Sequence, residues 1–234
     1  MPVPVSIPAP ERGDDTKRRL IDAALRVFAR DGYDGVSIRR IAEAAEANVA
    51  AIAYHFGGKR GLYLAAARYV AERNGAALPP LTAWATAEIA AAGGDRARLG
   101  ALLAQVIAGL MRGMVTARED GRAGFLVREL LMPSDAFDIL HAGFFAPLNR
   151  LLAAIAAEAL GMVADAPEAV MRGHLLLGTM MPLIAGREVV ERRLGYPILD
   201  GAALDRTIAV AAAAACASLG LPVVPAEEPP PLPR

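Results

Sequence analysis

Residues 36–63, VSIRRIAEAAEANVAAIAYHFGGKRGLY, decide how this chain is read. Ser37 opens a first short helix, because its hydroxyl can accept a bond from a backbone N–H two or three residues on that otherwise has no partner. Ile38, Ile41, Ala42 and Ala45 follow helical spacing and form its apolar face, which turns Arg39, Arg40 and Glu43 outward. Asn48 is a second capping residue, and the run from Val49 to Phe56 makes another short helix, with Ile52 and Phe56 on the inward side. The exposed side of that helix is small at its start, at Val49, Ala50 and Ala51, and carries Tyr54 and His55 at its end. A helix of this shape can approach closely enough to enter a DNA major groove. Gly57, Gly58 and Lys59 then release the chain into a third helix, with a cation beside free backbone N–H groups, a combination that suits a phosphate oxygen.

The rest of the chain sets the fold class. In 234 residues, 55% hydrophobic content is ample for a large core, while only 5% are aromatic and alanine fills the difference. Strand signals are absent, so the expected class is all-α, with helices in close contact. The net charge is zero, but residues 1–75 carry 12 Lys+Arg against 9 Asp+Glu, a net of +3, and the remainder carries 13 against 16, a net of −3. The first part is therefore the candidate DNA face. Cys216 is the only cysteine, so no internal disulfide forms and a reducing compartment fits. Uninterrupted apolar runs of about 18 residues and a signal-peptide pattern are both missing, so the expectation is a cytoplasmic protein with no membrane partner.

Punctuation divides the chain into an N-terminal arm over 1–13 with four prolines, a helix-turn-helix domain over 14–61, a helical bundle over 62–220 and a proline-rich tail over 221–234. In the bundle, Pro79-Pro80 and Gly93-Gly94 interrupt helical patterns near 62–78, 82–92 and 96–117. Further helices are expected near 122–132, 134–160, 167–194 and 202–219, with Asp165 capping the third of these. Pro147 and Pro182 fall inside two of them and predict kinks or breaks.

The cluster Tyr54-His55-Phe56, followed by Lys59 and Leu62, resembles the TetR/AcrR family of bacterial transcription regulators. The likeness runs from about Thr16 through Tyr63 and includes the helix over 17–30 with its ending Ala29-Arg30-Asp31-Gly32-Tyr33. Residues 126–161, LVRELLMPSDAFDILHAGFFAPLNRLLAAIAAEALG, look like a C-terminal ligand-binding type found in one branch of that family. Two positions depart from the pattern. Glu46 stands at the turn where glycine is common, implying a strained positive φ and a carboxylate near phosphates, and Ala53 replaces a larger residue.

The resemblance implies a homodimeric regulator, a repressor that leaves a palindromic double-stranded DNA operator when a small-molecule effector binds. It assigns Ser37, Tyr54 and Lys59 to phosphates and Arg39 with Val49, Ala50 and Ala51 to base edges, with His55 at the border; Arg40 and Asn48 complete the candidate DNA set. It makes the bundle an effector pocket for an apolar or amphipathic molecule. The candidates there are Trp84, Met111, Met114, Phe125, Met132, Phe137, His141, Phe144, Phe145, His174 and Met180. Taken singly, each of these is an ordinary core residue, and adaptable methionines beside a few polar groups are what gives the set its interest. Family dimers pair through their last two long helices, which points to Leu177, Met181, Ala209, Ala213 and Cys216 as interface residues.

Other classes find less in the chain. No nucleophile with a base, phosphate-binding glycine loop or metal-ligand spacing is present, so no enzyme activity, cofactor or metal is expected. Gly57-Gly58-Lys59-Arg60 lacks the spacing of a phosphate loop and follows no strand. The alternative is a helical adaptor that keeps the fold but has lost specific DNA binding; Glu46 favours it, and Arg39, Tyr54, His55 and Lys59 oppose it.

Overall fold

The computed structural model describes residues 12–223; the rest of the N-terminal arm and of the proline-rich tail lies outside the described residues. These form thirteen α-helices and one π-helical turn, with no strand among them, in agreement with the all-α expectation. The head consists of α1 (Arg12–Asp31), α2 (Ile38–Ala44) and α3 (Val49–Phe56). Leu20, Leu25, Phe28, Ile41 and Ile52 close its core with no exposed surface.

Three longer helices follow. α4 (Lys59–Gly75) starts under α3 and runs on into the body, so the expected boundary at residue 61 falls inside one continuous helix. α5 (Leu78–Ala92) carries Pro79 and Pro80 in its first turn, where a missing N–H has no helical partner to lose. α6 (Arg96–Glu119) begins at Asp95, whose carboxylate accepts from the N–H groups of Ala97 at 2.9 Å and Arg98 at 3.3 Å. After α6 comes α7 (Arg122–Leu131), wedged between α1 and the body.

Two of the expected helices are interrupted at their prolines. The pattern over 134–160 resolves into α8 (Phe137–Leu140), a π-helical turn (His141–Phe145) and α9 (Ala146–Leu160). Pro147 offers no N–H and crowds the carbonyl four residues back, and the ladder widens just before it, so that Ala146 donates to the His141 carbonyl five residues away. The pattern over 167–194 becomes α10 (Pro167–Leu177), α11 (Met181–Ile184) and α12 (Arg187–Leu194), with α12 bent by 48° from the segment before it. Pro182 sits in the first turn of α11, where the break makes its missing N–H harmless. Asp165 is not the cap of α10; Ala166 takes that place without a side-chain bond, and Pro167 leads the helix.

α13 (Gly201–Ser218) lies along α6, and α10 lies along α9. The α9–α10 contact is close because Gly173 lacks a side chain: a Cβ there would lie 2.5 Å from the Ala153 backbone nitrogen. α6 and the joined Phe137–Leu160 helix have the length and mean hydropathy, 1.5 and 1.4, of bilayer-crossing helices. Here that hydropathy serves helix packing, α6 touching α5, α7, α9 and α13.

Candidate nucleic-acid interface and inner cavity

Local chemistry shapes the turn between α2 and α3. The Ser37 hydroxyl accepts from the Arg40 N–H at 3.3 Å, and Asn48 Oδ1 accepts from the Ala50 N–H at 2.8 Å, so both capping residues hold helix starts. α2 ends with Glu46 N–H donating to the Glu43 carbonyl and Ala47 N–H to the Ala42 carbonyl, at 3.1 and 2.9 Å. That paired closure needs a left-handed residue at Glu46, and Glu46 is at φ +49°, the one non-glycine residue with positive φ among those described. The exposed carboxylate therefore sits on a strained turn at the entry to α3.

The outward surface of α2 and α3 is narrower than the candidate set. Tyr54 is 85% exposed and meets the His55 ring edge-on at 4.9 Å. Arg39, Asn48 and Ala50 are exposed, and Arg39 has no ion pair among the described residues. Val49 and Ala51 are half-buried against the head core, so Ala50 is the open position at the start of α3. Arg40 is drawn into an ion pair with Asp31 at 3.1 Å. Lys59 holds its ammonium 4.4 Å from the Tyr33 ring centre, and α4 starts at Gly58 with no side-chain cap, leaving its first N–H groups free.

Head and body are joined by a buried polar and aromatic seam. Tyr33 and Phe28 lie against Tyr63 with centroids 5.0 and 4.8 Å away, and Tyr63 in turn lies 4.9 Å from Phe125 of α7. Tyr63 donates its hydroxyl to Glu129, a 1%-exposed carboxylate that also accepts from the backbone and hydroxyl of Ser134. Burial first, then the Glu129 carboxylate, raises the Tyr63 pKa above the ordinary phenol value. On the surface beside them, Arg60 grips Asp135 at 2.5 Å and lowers the Asp135 pKa below the usual carboxylate range. α7 also presses on α1: a Cβ at Gly124 would come within 2.9 Å of the Ala29 side chain.

The body holds a cavity of about 640 Å³, within the range that holds drug-sized ligands, open to solvent beside Arg73, Gly109, Gly113 and Thr116. Of the candidate pocket residues, Trp84, Met114, Phe144, Phe145 and Met180 line it. Met111 and Phe125 do not, because helical rotation carries them away. Met111 continues the core stripe of Leu103 and Ile107, and Phe125 shares a face with Glu129 toward α4. Met132 and His174 are exposed outside the cavity, and His141 is exposed and stacked on the half-buried Phe137 at 5.8 Å. Leu177 and Met181, expected at a dimer interface, line the cavity within the single chain, Leu177 as the last residue of α10 and Met181 as the first of α11. Cys216 is buried within the chain, its thiol 3.5 Å from the Gly100 carbonyl, and burial raises its pKa. Ala209 and Ala213 are half-buried on α13.

Several lining residues escaped the sequence reading. Gly109 and Gly113 stand one turn apart on α6 facing the void, and a Cβ at either would meet nothing within 4 Å. A helix-interior glycine costs about 1 kcal/mol relative to alanine, so two of them four residues apart were a legible sign of space kept open. Arg73, Asn74, Thr116 and Arg122 supply the polar wall, and no Asp or Glu lines the cavity. The exposed apolar residues Met171 and Leu175, four apart on α10 at 60% and 64% exposure, and Val210 on α13 were also missed.

Known proteins match both halves. The family model for bacterial regulatory proteins of the tetR family covers residues 20–66, and that for the C-terminal domain of the HTH-type transcriptional dual regulator CecR covers residues 99–220. CecR from Shigella flexneri is 30% identical over 189 residues, spanning 81% of this chain and 84% of that protein. The HTH-type transcriptional repressor AcnR from Corynebacterium glutamicum is 38% identical over 69 residues, 30% of this chain and 37% of its own length. The crystal structure of HlyIIR, a hemolysin II transcriptional regulator, superposes with a TM-score of 0.53 at 18% identity, over 84% of this chain and 96% of that one, and shares the fold. With a helix-turn-helix head matching one model and a cavity-bearing bundle matching the other, the chain belongs to the tetR family of bacterial regulatory proteins, DNA-binding regulators of transcription.

Proposed function

We propose that the chain works as a homodimer that reads a palindromic operator and changes its grip when a small molecule fills the cavity. The observation that carries this reading is the double duty of α7. Arg122, Leu126, Val127 and Leu130 line the cavity, while Gly121 and Gly124 abut α1 and Glu129 holds Tyr63 of α4. α4 does the same from the other side, with Lys59 at the head and Arg73 and Asn74 in the cavity wall. A ligand that binds two arrangements of α4 and α7 with different affinity shifts the spacing of the two heads. In each head Ser37, Tyr54 and Lys59 hold phosphates, and Arg39 with Ala50 faces base edges, with His55 beside them. The pairing surface draws on α10 and α13, where Met171, Leu175 and Val210 leave apolar surface in water. Release of a repressor is the favoured direction; the dual-regulator name of the Shigella relative adds activation as a second direction for the same switch.

The test is operator selection from random DNA with the full chain, combined with light scattering. The expected result is a two-fold site with half-sites about 34–36 Å apart, one turn or a multiple of it, bound by a dimer. A charge at the pairing helix, Ala213→Arg, should shift the protein toward monomers. A monomer bound to a single asymmetric site, with helix content intact, overturns the reading.

A further inference from the structure

The cavity has a polar end with a definite sign. Its walls carry two arginines and no carboxylate, and apart from Asn74 and Thr116 the rest of the lining is apolar or glycine. Arg122 is the better placed of the two cations, since its side chain is only 11% exposed. Its Nε donates to Asp120 at 2.7 Å and its Nη1 to Asn74 Oδ1 at 2.5 Å, which fixes the plane of the guanidinium. Nη2 makes no bond to a described residue, yet it is not sealed in, because no buried side-chain polar atom among those described is without a partner. A donor held rigid by two neighbours and left with an open N–H pair is arranged for an acceptor that arrives from the cavity. Asp120 balances the charge of Arg122, and Arg73, which has no ion pair among the described residues, leaves that end net positive. Beyond this end, Trp84, Phe144, Phe145 and Met180 provide a wall for a hydrocarbon or aromatic body, and Gly109 and Gly113 keep its volume free.

We infer that the cavity selects a hydrophobic monocarboxylate, its carboxylate on Arg122 and Arg73 and its apolar body against Trp84 and the phenylalanines. This inference rests on reading the cavity as the effector site. The alternatives differ in sign: a neutral amphiphile would leave Arg73 without a counter-charge, and a cationic one would meet two like charges with no carboxylate in the lining.

Trp84 is the only tryptophan in the chain and lines the cavity, so its emission reports occupancy directly. The full-length protein is titrated with decanoate, decanol and decyltrimethylammonium, three probes that share a chain and differ in head charge. Decanoate should shift Trp84 emission and bind about tenfold or more tighter than decanol, the discrimination of one charge-assisted hydrogen bond. Arg122→Gln and Arg73→Gln should each weaken decanoate several-fold and leave decanol within about twofold of its original affinity. Arg122 also braces Asp120 and Asn74, whereas Arg73 has no ion pair, so Arg73→Gln keeps the test valid if the other variant folds poorly. Equal affinity for decanol, tighter binding of the cation, or no emission change with any probe overturns the inference. Operator binding measured alongside separates it from the reading beneath it. Decanol that binds equally and alters operator occupancy sinks the carboxylate and keeps the effector site. Decanoate that binds through the arginines without altering operator occupancy keeps the anion site and sinks its regulatory role.

Discussion

The head and the bundle are both helical, but they store their information in different places. In the head, nearly every decisive group is local: Ser37 and Asn48 cap helices within three residues of themselves, Glu46 closes a turn with its neighbours, and the outward residues face solvent. The bundle depends on contacts far apart in the chain and, at its cavity, on atoms that are missing. Gly109, Gly113 and Gly173 are chemically the same residue on similar helices, yet the first two face empty space and the third is pressed against α9. Surface chemistry thus marks the head, and shape marks the cavity of the bundle.

The largest expected effect tests that contrast inside the bundle. Gly173→Ala puts a Cβ 2.5 Å from the Ala153 nitrogen, so α10 must move off α9, at a cost of about 1–3 kcal/mol. Gly113→Ala meets nothing and improves helix propensity, so it should stabilise by roughly 0.5–1 kcal/mol. Urea unfolding of the two variants gives both signs in one experiment. A destabilised Gly113→Ala would mean that the void is not open as described.

In the head, Arg39→Ala should weaken operator binding by about 1–3 kcal/mol and relax one base position. Lys59→Ala should weaken binding to all sequences alike and reduce the salt slope by about one. Fluorescence anisotropy over a salt series separates the two, and identical behaviour of both variants would abolish the division between base and phosphate contacts.

The smallest stability effect belongs to Glu46→Gly, where two terms oppose each other. Relief of the left-handed strain is worth roughly 1–2 kcal/mol, and the added freedom of the unfolded chain returns about 0.4–1 kcal/mol. DNA affinity should rise, most at low salt, because a carboxylate near phosphates is removed. A correctly folded Glu46→Gly dimer that binds its operator less tightly would assign Glu46 a favourable contact with DNA.

Most of the head was legible in the amino-acid order. Caps, turn residues and a helical repeat of apolar positions act over three or four residues, and that is the range at which neighbours in sequence are neighbours in space. The unusual backbone at Glu46 was expected from the resemblance, which puts glycine at that turn. Arg40 was not legible, since its pairing with Asp31 depends on how α1 crosses α2.

In the bundle, composition and period were enough for helices and for an alanine-rich, close-packed body. Which face of each helix looks into the cavity was decided by packing. A net rotation of about 60° over three residues separates Met114 in the wall from Met111 in the core, and a methionine fits either place. Leu177 and Met181 line the cavity through the packing of α10 and α11, and Arg122 became a fixed donor only because Asp120 and Asn74 meet around it. Pro182 announced a break, but its direction depends on what α11 packs against, so the cavity and its charge exist only once the helices have assembled.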